Sequence, residues 1–140
     1  MGNIFVEVWA PNAVVEELEA GRFRGYDVPQ VEDYPWLKRI NPRHAPEEWL
    51  SVDLGRGELA TLALAFEHRE AVVLLDDRLA RRIAQAAGLQ VWGILRILLE
   101  AKERGVIEQV SPYVERLVGA GMGLSEDLRR RILRLAGEAP

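Results

Sequence analysis

Apolar positions along this chain recur with two alternating periods, short continuous runs and one-face helical stripes. Residues 4–10 read Ile-Phe-Val-Glu-Val-Trp-Ala, rich in β-branched and aromatic side chains, and Pro11 ends the run because proline brings no N–H to a sheet ladder. That run predicts a strand. Asn12 stands where an N-cap belongs, ahead of Ala-Val-Val-Glu-Glu-Leu-Glu-Ala, and Gly21 is placed to close the helix as a C′ residue. Arg22 to Pro35 has no sustained period and holds Gly25, Pro29 and Pro35, so it reads as a loop. Trp36 to Ile40 reads as a second short strand. Between Leu54 and Glu67, residues Leu59, Leu62, Ala63 and Phe66 fall at i, i+3, i+4 and i+7, the spacing of a helix with one buried face. Ala71 to Leu75 is a continuous apolar run ended by Asp76 and Asp77, as in a strand buried on both faces. A helix over Arg78 to Ala87 capped by Gly88, a strand over Leu89 to Trp92 and a helix from Gly93 to Gly105 follow. Two more helices are predicted, Pro112 to Gly119 and Ser125 to Ala136, the last with Ser125 as N-cap and Leu124 and Leu128 as a hydrophobic staple.

Strands that alternate with helices and read as solid apolar runs predict an α/β fold with a parallel sheet covered on both faces. A length of 140 residues with 49% hydrophobic composition suits a single domain over 1–140.

Composition removes several chemistries. With no cysteine there is no disulfide framework, thiol nucleophile or thiolate metal site, and His44 and His68 alone do not make a histidine-rich one. No stretch approaches the roughly 18 uninterrupted apolar residues of a membrane span, and Met1-Gly2-Asn3-Ile4-Phe5 is not a secretory signal, so a cytoplasmic protein is expected. The net charge of −4 argues against non-specific coating of nucleic acid, which depends on basic residues displacing phosphate counterions, but leaves room for a local basic patch.

In an open parallel sheet ligands bind beyond the carboxyl ends of the strands, so acidic residues there are the first candidates for chemistry. Glu16 and Glu17 lie in the helix after the first strand, Glu58 in the first turn after Gly55-Arg56-Gly57, and Asp76-Asp77 at the end of the central strand. Carboxylates brought together repel unless protonated or bridged by a cation, and an all-carboxylate set suits Mg²⁺ or Mn²⁺. Each also has a plainer account: Asp77 as a helix N-cap, Glu58 as a complement to a helix dipole, Glu17 as a solvated face residue. Trp9, Trp36, Trp49 and Trp92 sit in or beside apolar runs and read as packing anchors, and both histidines as surface residues.

Val14-Val-Glu-Glu17-Leu18, Leu54-Gly-Arg-Gly-Glu58-Leu-Ala and Leu74-Leu-Asp-Asp77-Arg-Leu-Ala-Arg81, in that order and spacing, resemble the PIN-domain superfamily. Gly88-Leu-Gln-Val-Trp-Gly93, residues 98–107 and residues 132–138 extend the resemblance over nearly the whole chain. It implies a three-layer α/β/α fold and cleavage of single-stranded RNA with Mg²⁺ or Mn²⁺. Position by position, it makes Glu17, Glu58 and Asp77 catalytic and metal-binding acids with Asp76 beside them. Arg56, Arg78 and Arg81 are candidates for holding phosphates, and an antitoxin protein and a homodimer or higher oligomer are candidate partners. The strand that carries the family's first aspartate is expected to be missing from the N-terminus, and Ile94 and Arg96 stand where the family has a small hydroxylated residue and a glycine. Weak activity is therefore expected. The competing expectation is a catalytically inactive PIN-like module for nucleic-acid binding or dimerisation.

Overall fold

A computed structural model of the chain describes residues 5, 7–25, 30–44 and 54–138, and its elements follow the alternation written in the sequence. The chain divides into two compact units, Met1–Trp92 and Gly93–Pro140. In the first unit the order is β1 (Val8–Ala10), α1 (Asn12–Phe23), a single 3-10 turn (Val31–Asp33), β2 (Leu37–Arg39), α2 (Arg56–Glu67), β3 (Val72–Leu74), α3 (Arg78–Ala86) and β4 (Gln90–Trp92). The second holds α4 (Ile94–Glu103), α5 (Ser111–Gly119) and α6 (Glu126–Leu135). The architecture is mixed α/β with parallel strands, in keeping with the α/β/α expectation.

The strands are short and form two parallel ladders. β1 pairs with β2, Val8 opposite Leu37 and Ala10 opposite Arg39. β3 pairs with β4, Val72 opposite Gln90 and Leu74 opposite Trp92. No ladder joins the two pairs among the described residues. Ile4 and Val6 of the expected first strand, and Trp49, lie outside the described residues.

α2 is the centre of the first unit. Its i, i+3, i+4 stripe does what the spacing predicts: Leu62 and Ala63 are buried, and with Ala65, Val73, Leu75, Ala80, Ala84 and Leu89 they form one cluster. Ala63, Ala80 and Ala84 have no side chain beyond Cβ, which lets α2 and α3 approach closely, while Leu59, Phe66, Ile83 and Val91 fill the margin. Ala10 and Val15 form a smaller cluster with Leu18 and Leu37, seating α1 on the β1–β2 ladder. Trp92 and Trp9 are packing residues, as expected: Trp92 lies 5.4 Å from the ring of Phe5, and Trp9 meets His68 edge-on at 4.7 Å. His68 is therefore a packing residue too, rather than a purely surface one.

Two expected helix boundaries are corrected. Pro11, not Asn12, is the N-cap of α1, and its carbonyl accepts from the Val14 N–H at 3.0 Å. Asn12 is already helical, and its own N–H donates to Oδ1 of Asn41, 29 residues away, at 2.8 Å. Gly21 does not stop the helix, which runs to Phe23. Arg24 is the C-cap and Gly25, at φ +89°, takes the left-handed C′ position that a residue with a Cβ adopts only at a cost. The caps of α3 and α6 are where they were expected: Asp77 Oδ2 accepts from the Ala80 N–H at 2.9 Å, and Ser125 Oγ from the Leu128 N–H at 3.2 Å.

Glutamates tie distant segments to backbone in both units. Glu67, at the end of α2, accepts from the N–H groups of Arg43 (2.7 Å) and His44 (3.1 Å) and so fixes the segment after β2. The hydrogen bond from His44, with that from Arg43, outweighs desolvation and holds the Glu67 carboxyl below its ordinary pKa. In the second unit Leu98, Val110, Val114 and Ile132 form the core, and Glu138 closes it. Its carboxylate accepts from the N–H groups of Val110 (2.7 Å) and Ser111 (3.0 Å) at the start of α5, and from Lys102 Nζ (3.0 Å) on α4. Lys102 also donates to the carbonyl of Ala136. The Glu138 side chain is only 11% exposed. Loss of water around it pushes its pKa up, but the two backbone donors and the ammonium outweigh that and hold it below the ordinary carboxylate value.

A group whose pKa is lower folded than unfolded adds stability above its unfolded pKa and loses it as pH falls through the folded one. The Glu138 contribution is accordingly present at neutral pH and lost on acidification below the ordinary glutamate range. Replacing Glu138 by Gln removes the charge from these hydrogen bonds and should lower stability at pH 7 by about 1–3 kcal/mol. Urea unfolding at pH 7 and at pH 3 checks this, the difference between the two proteins narrowing at the lower pH.

Candidate functional site

The start of α2 is built to receive carboxylates. Gly55 precedes the helix with φ −67° and ψ 161°, and no side chain of its own caps the first turn. The cap comes from another helix. Glu17, one and a half turns into α1, directs its carboxylate at the α2 start, where Oε1 accepts from the Gly57 N–H at 3.0 Å. That places a negative charge on the positive end of the helix dipole. A Cβ on Gly57 would lie 2.6 Å from Glu17 Oε2 and 2.9 Å from its Cδ, so the carboxylate sits against bare backbone. The half-buried Glu58 folds back over the same turn, where a Cβ on Gly55 would stand 2.5 Å from Glu58 Oε2. Two expected site acids from different helices thus converge on one stretch of backbone, Gly55-Arg56-Gly57.

Asp77 is placed differently. It follows β3 as the N-cap of α3, φ −64° and ψ 131°, with one carboxylate oxygen on the Ala80 N–H. Asp76 precedes it, exposed at the end of β3. Among the described residues no three of His, Asp or Glu gather into a group able to hold a metal ion. The structure therefore brings Glu17 and Glu58 to the start of α2 and seats Asp76 and Asp77 at the start of α3, without assembling the four into one ligand cage.

The three candidate arginines also separate. Arg56 lies between the two glycines, 83% exposed, with Nη2 3.6 Å from Glu16 Oε2. An ion pair so exposed contributes little to stability and leaves the guanidinium available. Arg78 is exposed in the first turn of α3. Arg81 donates to the carbonyl of Leu75 at 3.3 Å, which ties it to the end of β3. What the sequence reading missed is the Glu17 to Gly57 contact itself. The two glycines flanking Arg56 become a signal only once the structure shows that neither position has a positive φ that needs glycine.

No helix among the described residues is long and apolar enough to cross a membrane. A protein family described as PIN domain matches the chain over residues 1–138. No curated protein and no solved structure matches it.

If the Asp77 carboxylate works as a helix cap, Asp77→Asn should be nearly neutral, because asparagine caps as well as aspartate, whereas Asp77→Ala should cost about 0.5–2 kcal/mol. Thermal melts of the two variants with EDTA present read this directly; equal losses from both would mean that the negative charge, not the cap, is what the position requires.

Proposed function

The chain belongs to the PIN-domain family, and from that premise we propose that it acts on single-stranded RNA as a weak ribonuclease, with Glu17 and Glu58 as the centre of its acidic site and Asp77 as the third acid. The observation that carries this reading is the convergence of Glu17 and Glu58, from two helices, on Gly55-Arg56-Gly57. These are the acids that the family resemblance marks, and they meet where the fold has left room for them.

PIN domains generally use divalent metals, and carboxylate oxygens are the donors that Mg²⁺ or Mn²⁺ prefers. As the side chains stand, they do not fit such an ion. Glu17 and Asp77 each commit an oxygen to a backbone N–H, and among the described residues no third acid joins the pair at α2. The chain's own contribution is then positional. Arg56 and Arg78, exposed at the starts of α2 and α3, suit contacts with the phosphates on either side of a bound nucleotide, since guanidinium groups meet phosphate oxygens in paired hydrogen bonds. The oxygens of the acid pair that hold no backbone N–H would then accept a proton from a hydroxyl or a water near the scissile bond.

The same commitments favour a second reading, a PIN-fold module that binds RNA without cleaving it. A single assay separates the two. With excess fluorescent single-stranded RNA, assayed both with EDTA and in ~mM Mn²⁺, a concentration chosen because weak carboxylate sites bind in that range, slow cleavage is expected that Glu58→Gln abolishes. Binding with no cleavage above the buffer control would establish the second reading. Absence of both would remove RNA as the substrate.

A further inference from the structure

Gly57 has no conformational reason to be glycine. It lies in the first turn of α2, it is buried, and its φ is not positive. Alanine in a helix is favoured over glycine by roughly 1 kcal/mol, so on backbone grounds alone the position is filled by a poor choice. The space around it supplies the reason. The three nearest atoms to a Cβ there are Oε2, Cδ and Oε1 of Glu17, at 2.6, 2.9 and 2.9 Å. A methyl group would first meet the movable end of a side chain and not the main chain. The substitution Gly57→Ala would therefore leave the fold intact and drive the carboxylate off the residue-57 N–H.

We infer that Gly57 is a positioning residue for Glu17: its missing Cβ is what lets the Glu17 carboxylate reach the start of α2 and stay there. The inference concerns the acidic site proposed above and rests on that reading for its functional meaning, but its geometry does not. Gly55 shows the same relation to Glu58, whose Oε2 stands 2.5 Å from where a Cβ would be. The sequence Gly-Arg-Gly-Glu thus works as a seat for two carboxylates with one arginine between them. Both acids are held by space left open, and Glu17 also by one hydrogen bond.

The test reads the carboxylate's position instead of activity. In the full chain labelled with ¹⁵N, Glu17→Gln should shift the Gly57 amide resonance, because the acceptor of that N–H loses its charge. In Gly57→Ala, with an unchanged far-ultraviolet circular dichroism spectrum, Glu17→Gln should leave the residue-57 amide resonance where it is. Melting temperatures give an independent reading. In a Glu17→Ala background Gly57→Ala should raise the melting temperature by about 2–4 °C, the ordinary gain from removing a helical glycine. In the wild-type background that gain should be lost. A residue-57 amide that still responds to Glu17→Gln in the Gly57→Ala variant, or an equal rise in both backgrounds, would overturn the inference. Neither readout involves RNA, so failure of the RNA assay would leave this result standing, and failure here would leave the RNA assay's outcome untouched.

Discussion

An unpaired N–H at the start of a helix or in a turn has to find an acceptor, and in this chain several of the acceptors come from far away in sequence. Asn41 serves Asn12, Glu17 serves Gly57, Glu67 serves Arg43 and His44, and Glu138 serves Val110 and Ser111. The described strands are only three residues long, so few ladder hydrogen bonds tie distant segments together. The long-range side-chain acceptors take over that task. In the first unit they fix α1 to the segment after β2, α1 to α2, and the end of α2 back to residues 43 and 44. In the second, one carboxylate near the end of the chain fastens α5 and α4 together.

Such long-range capping sets the terms on which the acidic residues act. A carboxylate is the best available partner for the positive start of a helix, and it is also the donor type that a hard cation selects. Structural and chemical uses therefore compete for the same oxygens. Asp77 shows the overlap most plainly, because its place after a strand and before a helix suits a cap and a strand-end site equally well. Glu17 shows the overlap as well: its carboxylate caps α2, and the clearance at Gly57 is what lets it reach that spot.

Local elements were legible in the sequence because their causes are local. The stripe at Leu59, Leu62, Ala63 and Phe66 fixes α2 and its buried face, the run from Ala71 to Leu75 fixes β3, and Ser125 and Asp77 cap the helices that follow them. The errors arose where a distant partner changed a local preference. Asn12 looks like an N-cap until Asn41 takes over the acceptor role, and Gly21 looks like a stop until the chain is seen to reach Gly25 with its helical hydrogen bonds still satisfied. For the site, residue types and order indicated which acids to watch. Neither periodicity nor spacing reveals that Glu17 and Glu58 share one turn of backbone while Asp77 caps another helix, since that depends on how α1 packs against α2.

The arginines follow the same logic from the opposite charge. Arg81 and Leu75 lie within one strand-to-helix connection, and the guanidinium satisfies a carbonyl at the end of β3, so its charge helps to hold the frame. Arg56 has no such duty. It projects from between two glycines, largely in water, with an exposed glutamate as its countercharge. A long side chain that satisfies a backbone group is tied to the frame, whereas an exposed ion pair adds little to it. An exposed guanidinium next to two carboxylates keeps the charges of this turn from being uniformly negative, and that balance is what a polyanion would have to meet to approach Glu17 and Glu58 at all.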